Sequence, residues 1–197
     1  MKKYNLTAPL ILTLSRLIIA PILMPLLLIY VSPYVSHFIQ ILIALIFILF
    51  CLSDFFDGYL ARKWQQESIL GKVLDPIADK FLLFSTLVGL LVINRIFFLW
   101  AIIFIGREFF IMGLRILALE NKVRIDVSSF GKAKTGVQML YLTMLILKPL
   151  WIENYWWTVF ETILLSAALI LTLGSAYFYL RKFLKEVNLR IYEGTFN

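Results

Sequence analysis

The chain has 197 residues, 61% of them hydrophobic, with a mean hydropathy of +0.89 and a formal charge of +7. A soluble domain is about 45–50% apolar, so this composition excludes an ordinary soluble enzyme and indicates a polytopic membrane protein with one domain over residues 1–197. Cys51 is the only cysteine, which excludes an internal disulfide and a cysteine-rich metal site. The basic residues lie between apolar runs rather than along one element; that argues against a nucleic-acid partner and suits anionic headgroups or phosphorylated substrates.

A span needs about 20 mostly apolar residues. Six stretches qualify, at about 9–31, 36–60, 75–93, 97–118, 135–151 and 157–181, which predicts an all-α protein of six transmembrane helices. The run after Met1-Lys2-Lys3 has no small-residue cleavage site and reads as a retained first span. Pro21 and Pro25 fall inside it, where a kink is tolerated if neighbours satisfy the freed carbonyls. Lys2, Lys3, Arg62, Lys63, Lys72, Lys122, Arg124, Lys132, Lys134, Arg181, Lys182, Lys185 and Arg190 fall on one side of this arrangement. The other side has short turns with His37, Arg95 and Lys148, with Trp151, Trp156 and Trp157 as an interfacial belt. Both termini are therefore expected in the cytoplasm. The basic tail Arg181–Tyr192 is expected to lie along the inner surface or to act as a positive-inside stop.

Four carboxylates stand where the second run ends and the third begins. Asp54 and Asp57 are three residues apart and Asp75 and Asp79 four apart, so on helices each pair shares a face. If the two helices pack, four acids converge and repel unless cations neutralise them. An oxygen-only cluster points to Mg²⁺ or Mn²⁺, and two such ions can clamp both ends of a phosphoryl displacement. Taken singly, the acids have a blander reading: Asp75-Pro76 is also a good helix start, with Asp as cap, and Asp54 and Asp57 could cap a span. Gly58, Ala61 and Gly71 remove side chains near the cluster, for a nucleotide or simply for helix packing. Arg62 has the fork that matches phosphate oxygens, though alone it is as easily a positive-inside residue.

Together these residues form a signature. Asp54-x2-Asp57-Gly58-x2-Ala61-Arg62-x8-Gly71-x3-Asp75-x3-Asp79 resembles, position for position, the motif of the CDP-alcohol phosphotransferase family. The resemblance implies six spans, a homodimer, and attack of an acceptor hydroxyl on the β-phosphate of a CDP-linked donor with release of CMP. It also implies roles. Asp54, Asp57, Asp75 and Asp79 would hold two divalent metals, and Asp79 would be the general base. Asp54, Gly58, Ala61, Arg62, Gly71 and Asp75 would line the CMP moiety.

The acceptor must be read elsewhere. Gly106-Arg107-Glu108-Phe109 puts two charges inside the fourth apolar run, and Arg115 follows eight residues later, roughly on the same face. Gly131-Lys132-Ala133-Lys134-Thr135-Gly136-x-Gln138 opens the fifth. Arg107, Lys132 and Lys134, with Thr135 and Arg115, would make a positive pocket suited to an acceptor carrying its own phosphate. The blander reading of Arg107-Glu108 is a buried ion pair. These segments resemble those of the family's phosphatidylglycerophosphate-forming branch, whose donor is CDP-diacylglycerol and whose acceptor is sn-glycerol 3-phosphate. The opening Pro9-Leu10-Ile-Leu-Thr13-x2-Arg16 is similar too, with Leu10 where that branch commonly has Asn. The resemblance implies a bacterial inner or plasma membrane enzyme whose site faces the cytoplasm. Competing readings are a cardiolipin synthase-like acceptor (phosphatidylglycerol), serine or inositol phosphate as acceptor, and, from another class, a cation transporter. Asp126 with Ser128 and Ser129 reads as a cap for the fifth helix.

Overall fold

The computed structural model describes residues 8–32, 36–63, 69–121, 129–148 and 155–192; within these, the side chains of residues 8–16, 54–63, 69–76, 78, 79, 129, 130, 132 and 188–192 lie outside the description. The described residues form α-helices and no strand: α1 (Ala8–Leu26, continued by a π-helical segment Leu27–Val31), α2 (His37–Lys63), α3 (Ile69–Val92), α4 (Phe98–Glu120), α5 (Ser129–Leu147) and α6 (Tyr155–Tyr192). All-helical structure is what apolar runs of this length require, because a helix satisfies its own backbone groups where water is absent. Among the described residues one helix, over Tyr155–Val187, is long and apolar enough by itself to cross a membrane; shorter apolar helical runs cover Leu17–Val31, His37–Ser53, Lys80–Val92 and Ala133–Leu147. Large apolar side chains such as Phe38, Leu49, Val88, Ile102, Ile116, Ile170 and Leu173 point outward, an arrangement that suits lipid and not water.

The chain packs as two compact units, Met1–Phe97 with Leu142–Asn154, and Phe98–Tyr141 with Tyr155–Asn197, so the division falls within α5. In the first unit α1 lies against α3 and α2. Pro25 cannot donate into the helix ladder and crowds the carbonyl one turn back. The ladder widens to π geometry directly afterwards, over Leu27–Val31. Gly89 of α3 faces this irregular stretch: a Cβ there would sit 3.1 Å from the Pro25 Cα and 3.0 Å from Leu28 Cδ1. Backbone cannot step aside as a side chain can. Gly89→Ala is therefore expected to destabilise the protein by about 1–3 kcal/mol, read as a lower melting temperature in detergent; an unchanged melt would show that α1 yields at Pro25.

The end of α3 closes a polar lock. Asn94 adopts φ 54°, a conformation Asn tolerates better than most residues. Arg95 N donates to Leu90 O (2.9 Å) and Asn94 N to Leu91 O (3.0 Å), the paired bonds of a Schellman turn. The turn returns the Arg95 side chain to the unit, where Nη2 donates to Ser32 Oγ (2.7 Å) and Nη1 to Ile146 O (3.1 Å). Ser32 donates to Gln40 Oε1 (3.0 Å), and Gln40 Nε2 donates to the same Ile146 carbonyl. Burial among these neutral partners lowers the Arg95 guanidinium from its usual range to about 10.

In the second unit Ile111, Leu114 and Ala118 of α4 pack with Phe183 of α6, flanked by Ala176, Tyr179, Leu180 and Val187. Arg107 bonds Ser175, and the α4 residues after Arg107 pack with α6 residues after Ser175, so α4 and α6 run parallel. Phe104 meets Tyr141 of α5 with ring centroids 6.2 Å apart.

Two expectations need correction. The basic tail is no separate surface segment: α6 is continuous for 38 residues, about 57 Å at 1.5 Å per residue, and Phe183 and Val187 hold it on the α4 face. α5 begins at Ser129 and ends at Leu147 rather than covering 135–151, because helical hydrogen bonding continues into the polar Gly131–Lys134 stretch that hydropathy does not register. Asp126 and Ser128, the cap expected before it, lie outside the described residues, as do Lys2, Lys3, Lys122, Arg124 and Trp151. Tyr155 and Trp156 open α6 as exposed rings in edge contact.

Candidate active site

The acidic signature falls on two unbroken helices. Asp54 and Asp57 belong to α2, which runs on to Lys63; Asp75 and Asp79 belong to α3, which has already begun at Ile69. Asp75-Pro76 is thus not the start of the third helix, and the capping reading of Asp75 is overturned. Both acid pairs have the helical backbone that puts residues three and four apart on one face, and α2 and α3 pack within the first unit. Gly58, Ala61 and Arg62 continue α2 beyond the first pair, and Gly71 precedes the second pair on α3. The side chains of Asp54, Asp57, Ala61, Arg62, Asp75 and Asp79 lie outside the description. Among the described residues there is no group of three or more His, Cys, Asp or Glu placed to hold a metal ion. By donor chemistry the four aspartates fit a hard divalent cation, with carboxylate oxygens and no competing soft ligand in the signature.

The second polar centre is built from α4, α5 and α6. Arg107 and Glu108 are consecutive on α4, and neighbours in sequence do not normally face each other on a helix. Here they splay toward different partners. Arg107 Nη2 donates to Ser175 Oγ of α6 (3.0 Å), and Lys134 of α5 donates from Nζ to Glu108 Oε1. Arg107 Nη1 closes the cluster by donating to the same carboxylate oxygen (2.9 Å). Ser175 Oγ in turn donates to the Thr172 carbonyl (3.0 Å). The Arg107 and Glu108 side chains are each 12% exposed, and that of Lys134 only 2%. Two cations share one anion in an apolar interior, leaving an excess of one positive charge among these three groups. Arg107 Nε is buried with no hydrogen-bond partner among the described residues.

The five residues expected to bind an acceptor phosphate are thus treated unequally. Arg107 and Lys134 come together on Glu108. Thr135 is part-buried, but its hydroxyl makes a local bond to Gly131 O (3.2 Å). Arg115 is exposed on α4, about 80° around the helix from Arg107 by helical geometry, and is not brought to the cluster. The Lys132 side chain lies outside the description. Sequence reading missed Glu108 as the bridge and Ser175 as the α6 partner; a serine amid Leu171–Tyr177 was the available signal.

Residues 6–174 match the family described as CDP-alcohol phosphatidyltransferase. A Haemophilus influenzae protein named CDP-diacylglycerol–glycerol-3-phosphate 3-phosphatidyltransferase is 38% identical over 91% of this chain and 93% of its own length. Proteins with the same name from Blochmanniella floridana (36% identical, 87% of each chain) and Rickettsia bellii (36% identical, 70% of this chain and 76% of the relative) are similar as well. The matched region includes every position of the acidic signature and the Arg107–Glu108–Lys134 cluster, and the chain belongs to the CDP-alcohol phosphatidyltransferase family.

Proposed function

We propose that this chain transfers the phosphatidyl group of CDP-diacylglycerol to sn-glycerol 3-phosphate, giving phosphatidylglycerol phosphate and CMP. Beside the family match, the observation that carries the acceptor is the pairing of buried Arg107 and Lys134, a positive centre that a neutral acceptor would not need. The free primary hydroxyl of the acceptor attacks the phosphorus that bears the diacylglycerol; a new P–O bond forms, the P–O bond to CMP breaks, and the hydroxyl proton passes to Asp79. Asp54, Asp57, Asp75 and Asp79 would hold two divalent ions, Mg²⁺ or Mn²⁺. Bound there, such ions neutralise the diphosphate and stabilise the leaving CMP. Asp54, Gly58, Ala61, Arg62, Gly71 and Asp75 line the nucleotide. Arg107 and Lys134 receive the acceptor phosphate, with Lys132 and Thr135 near them on α5, while Arg115, about 80° around α4 from Arg107, stands apart from that contact.

The protein works as one domain of a homodimer, with six spans, cytoplasmic termini and a cytoplasm-facing site in a bacterial inner or plasma membrane. The excess of Lys and Arg on the expected cytoplasmic segments supports that orientation.

The test is CMP release by the purified protein with CDP-diacylglycerol and Mg²⁺, offering glycerol 3-phosphate, phosphatidylglycerol, serine and inositol 1-phosphate separately. Release is expected with glycerol 3-phosphate and is expected to vanish with EDTA. Release with phosphatidylglycerol alone would make the protein cardiolipin synthase-like and overturn the acceptor. Release with none would remove the assignment altogether.

A further inference from the structure

One turn along from the charged cluster lies a pair of polar groups that the proposed chemistry does not use. Gln138 is 1% exposed and neither its amide oxygen nor its amide nitrogen has a hydrogen-bond partner among the described residues; Thr172 is 0% exposed and its hydroxyl is likewise unpartnered there. Leaving such groups unsatisfied in an apolar interior is unfavourable, and two at one level call for an explanation.

The packing sets that level. On α5, Gln138 stands between Lys134, bonded to Glu108, and Tyr141, whose ring is tilted against that of Phe104. It therefore lies beside the α4 turn from Phe104 to Arg107. On α6, Thr172 lies three residues before Ser175, the partner of Arg107, and since α4 and α6 run parallel it also sits at the Phe104 turn. A neutral donor–acceptor layer thus adjoins the layer of Arg107, Glu108 and Lys134.

We infer that Gln138 and Thr172 form a hydroxyl-reading subsite: a phosphate on Arg107 and Lys134 places the adjoining carbinol of a polyol phosphate against the Gln138 amide and the Thr172 hydroxyl. An amide offers one acceptor and two donors and a threonine hydroxyl offers both roles, which is what a secondary alcohol can satisfy and a methylene cannot. This inference rests on the acceptor reading above and adds the residues that would discriminate among phosphorylated acceptors.

The experiment compares glycerol 3-phosphate with 3-hydroxypropyl phosphate, which keeps the phosphate and the attacking primary hydroxyl but lacks the secondary one. CMP release and the acceptor-induced thermal shift are measured for the full-length protein, Gln138→Leu and Thr172→Val. The unsubstituted protein is expected to favour glycerol 3-phosphate by about 10-fold or more in kcat/KM. In both variants that ratio should fall toward one through loss with glycerol 3-phosphate alone, with the KM for CDP-diacylglycerol unchanged. Ligand-free melting temperatures should hold or rise, since an apolar group of similar shape replaces an unsatisfied polar one. Equal use of both acceptors by the unsubstituted protein would overturn the inference. So would variants that slow both acceptors alike, the result expected if the two groups merely hold a structural water. Turnover with another acceptor but none with glycerol 3-phosphate marks failure of the parent reading, and the subsite falls with it. If Thr172→Val does not fold, Thr172→Ser, which keeps the hydroxyl and should keep the ratio, supplies the second reading.

Discussion

Asp57→Asn is expected to reduce CMP release by at least about 1,000-fold without unfolding the protein. Phosphoryl transfer asks little covalent chemistry of a protein and depends almost wholly on positioning and charge stabilisation. Removing one well-placed electrostatic partner costs about 100- to 1,000-fold in enzymes that stabilise an oxyanion, and loss of a carboxylate that would hold a catalytic cation should reach the upper end of that range or beyond. The fold should tolerate the change because Asn keeps the shape, and because Asp57 is three residues from Asp54 on one helix, so one like-charge repulsion disappears. In EDTA the variant should melt at or above the temperature of the unsubstituted protein, while the gain in melting temperature on adding Mg²⁺ and CDP-diacylglycerol should shrink. Activity above about a tenth of the unsubstituted level would show that Asp57 is not a metal ligand and would leave the acidic face of α2 without a catalytic role.

The acidic signature was legible in the sequence because its information is local. Spacings of three and four need only a helical backbone to become one face, and α2 and α3 supply it across all four positions. The apolar runs were legible for the same reason, and α1, α2 and α4 follow them closely. What escaped was of two kinds. Hydropathy cannot register a helix that runs on through polar residues, which is why the start of α5 at Ser129 and the end of α6 at Tyr192 were displaced. Contacts between distant positions escaped as well. Gln40, to which the sequence analysis gave no role, bonds a carbonyl 106 residues away and shares it with Arg95. Arg107-Glu108 read as a pair of neighbours, yet the decisive partner is Lys134, 26 residues on. An intramembrane charge announces that a partner exists; only the packing says which.

That partnership carries the second large effect. Glu108→Gln removes the carboxylate that Arg107 and Lys134 both bond, and leaves these two cations, one of them 2% exposed, without it. Breaking a buried ionic cluster at one member costs about 3–5 kcal/mol, most of it from the charge left uncompensated. The ligand-free variant should therefore melt well below the unsubstituted protein, or be recovered from membranes in low yield. A ligand phosphate can take the place the carboxylate vacates. With glycerol 3-phosphate present, the rise in melting temperature should be larger for Glu108→Gln than for the unsubstituted protein, since any ligand that binds only the folded state stabilises it by mass action. Lys134→Met supplies the opposite arm: Arg107 and Glu108 remain as a neutral pair, stability changes less, and the acceptor KM should rise by about 10- to 100-fold through loss of one charge-assisted bond. A Glu108→Gln protein that gains no more from glycerol 3-phosphate than the unsubstituted one would show that Arg107 and Lys134 serve each other and not an incoming phosphate. The buried ion pair would then be a structural element of the second unit, and the acceptor phosphate would have to be sought at Lys132 and Arg115.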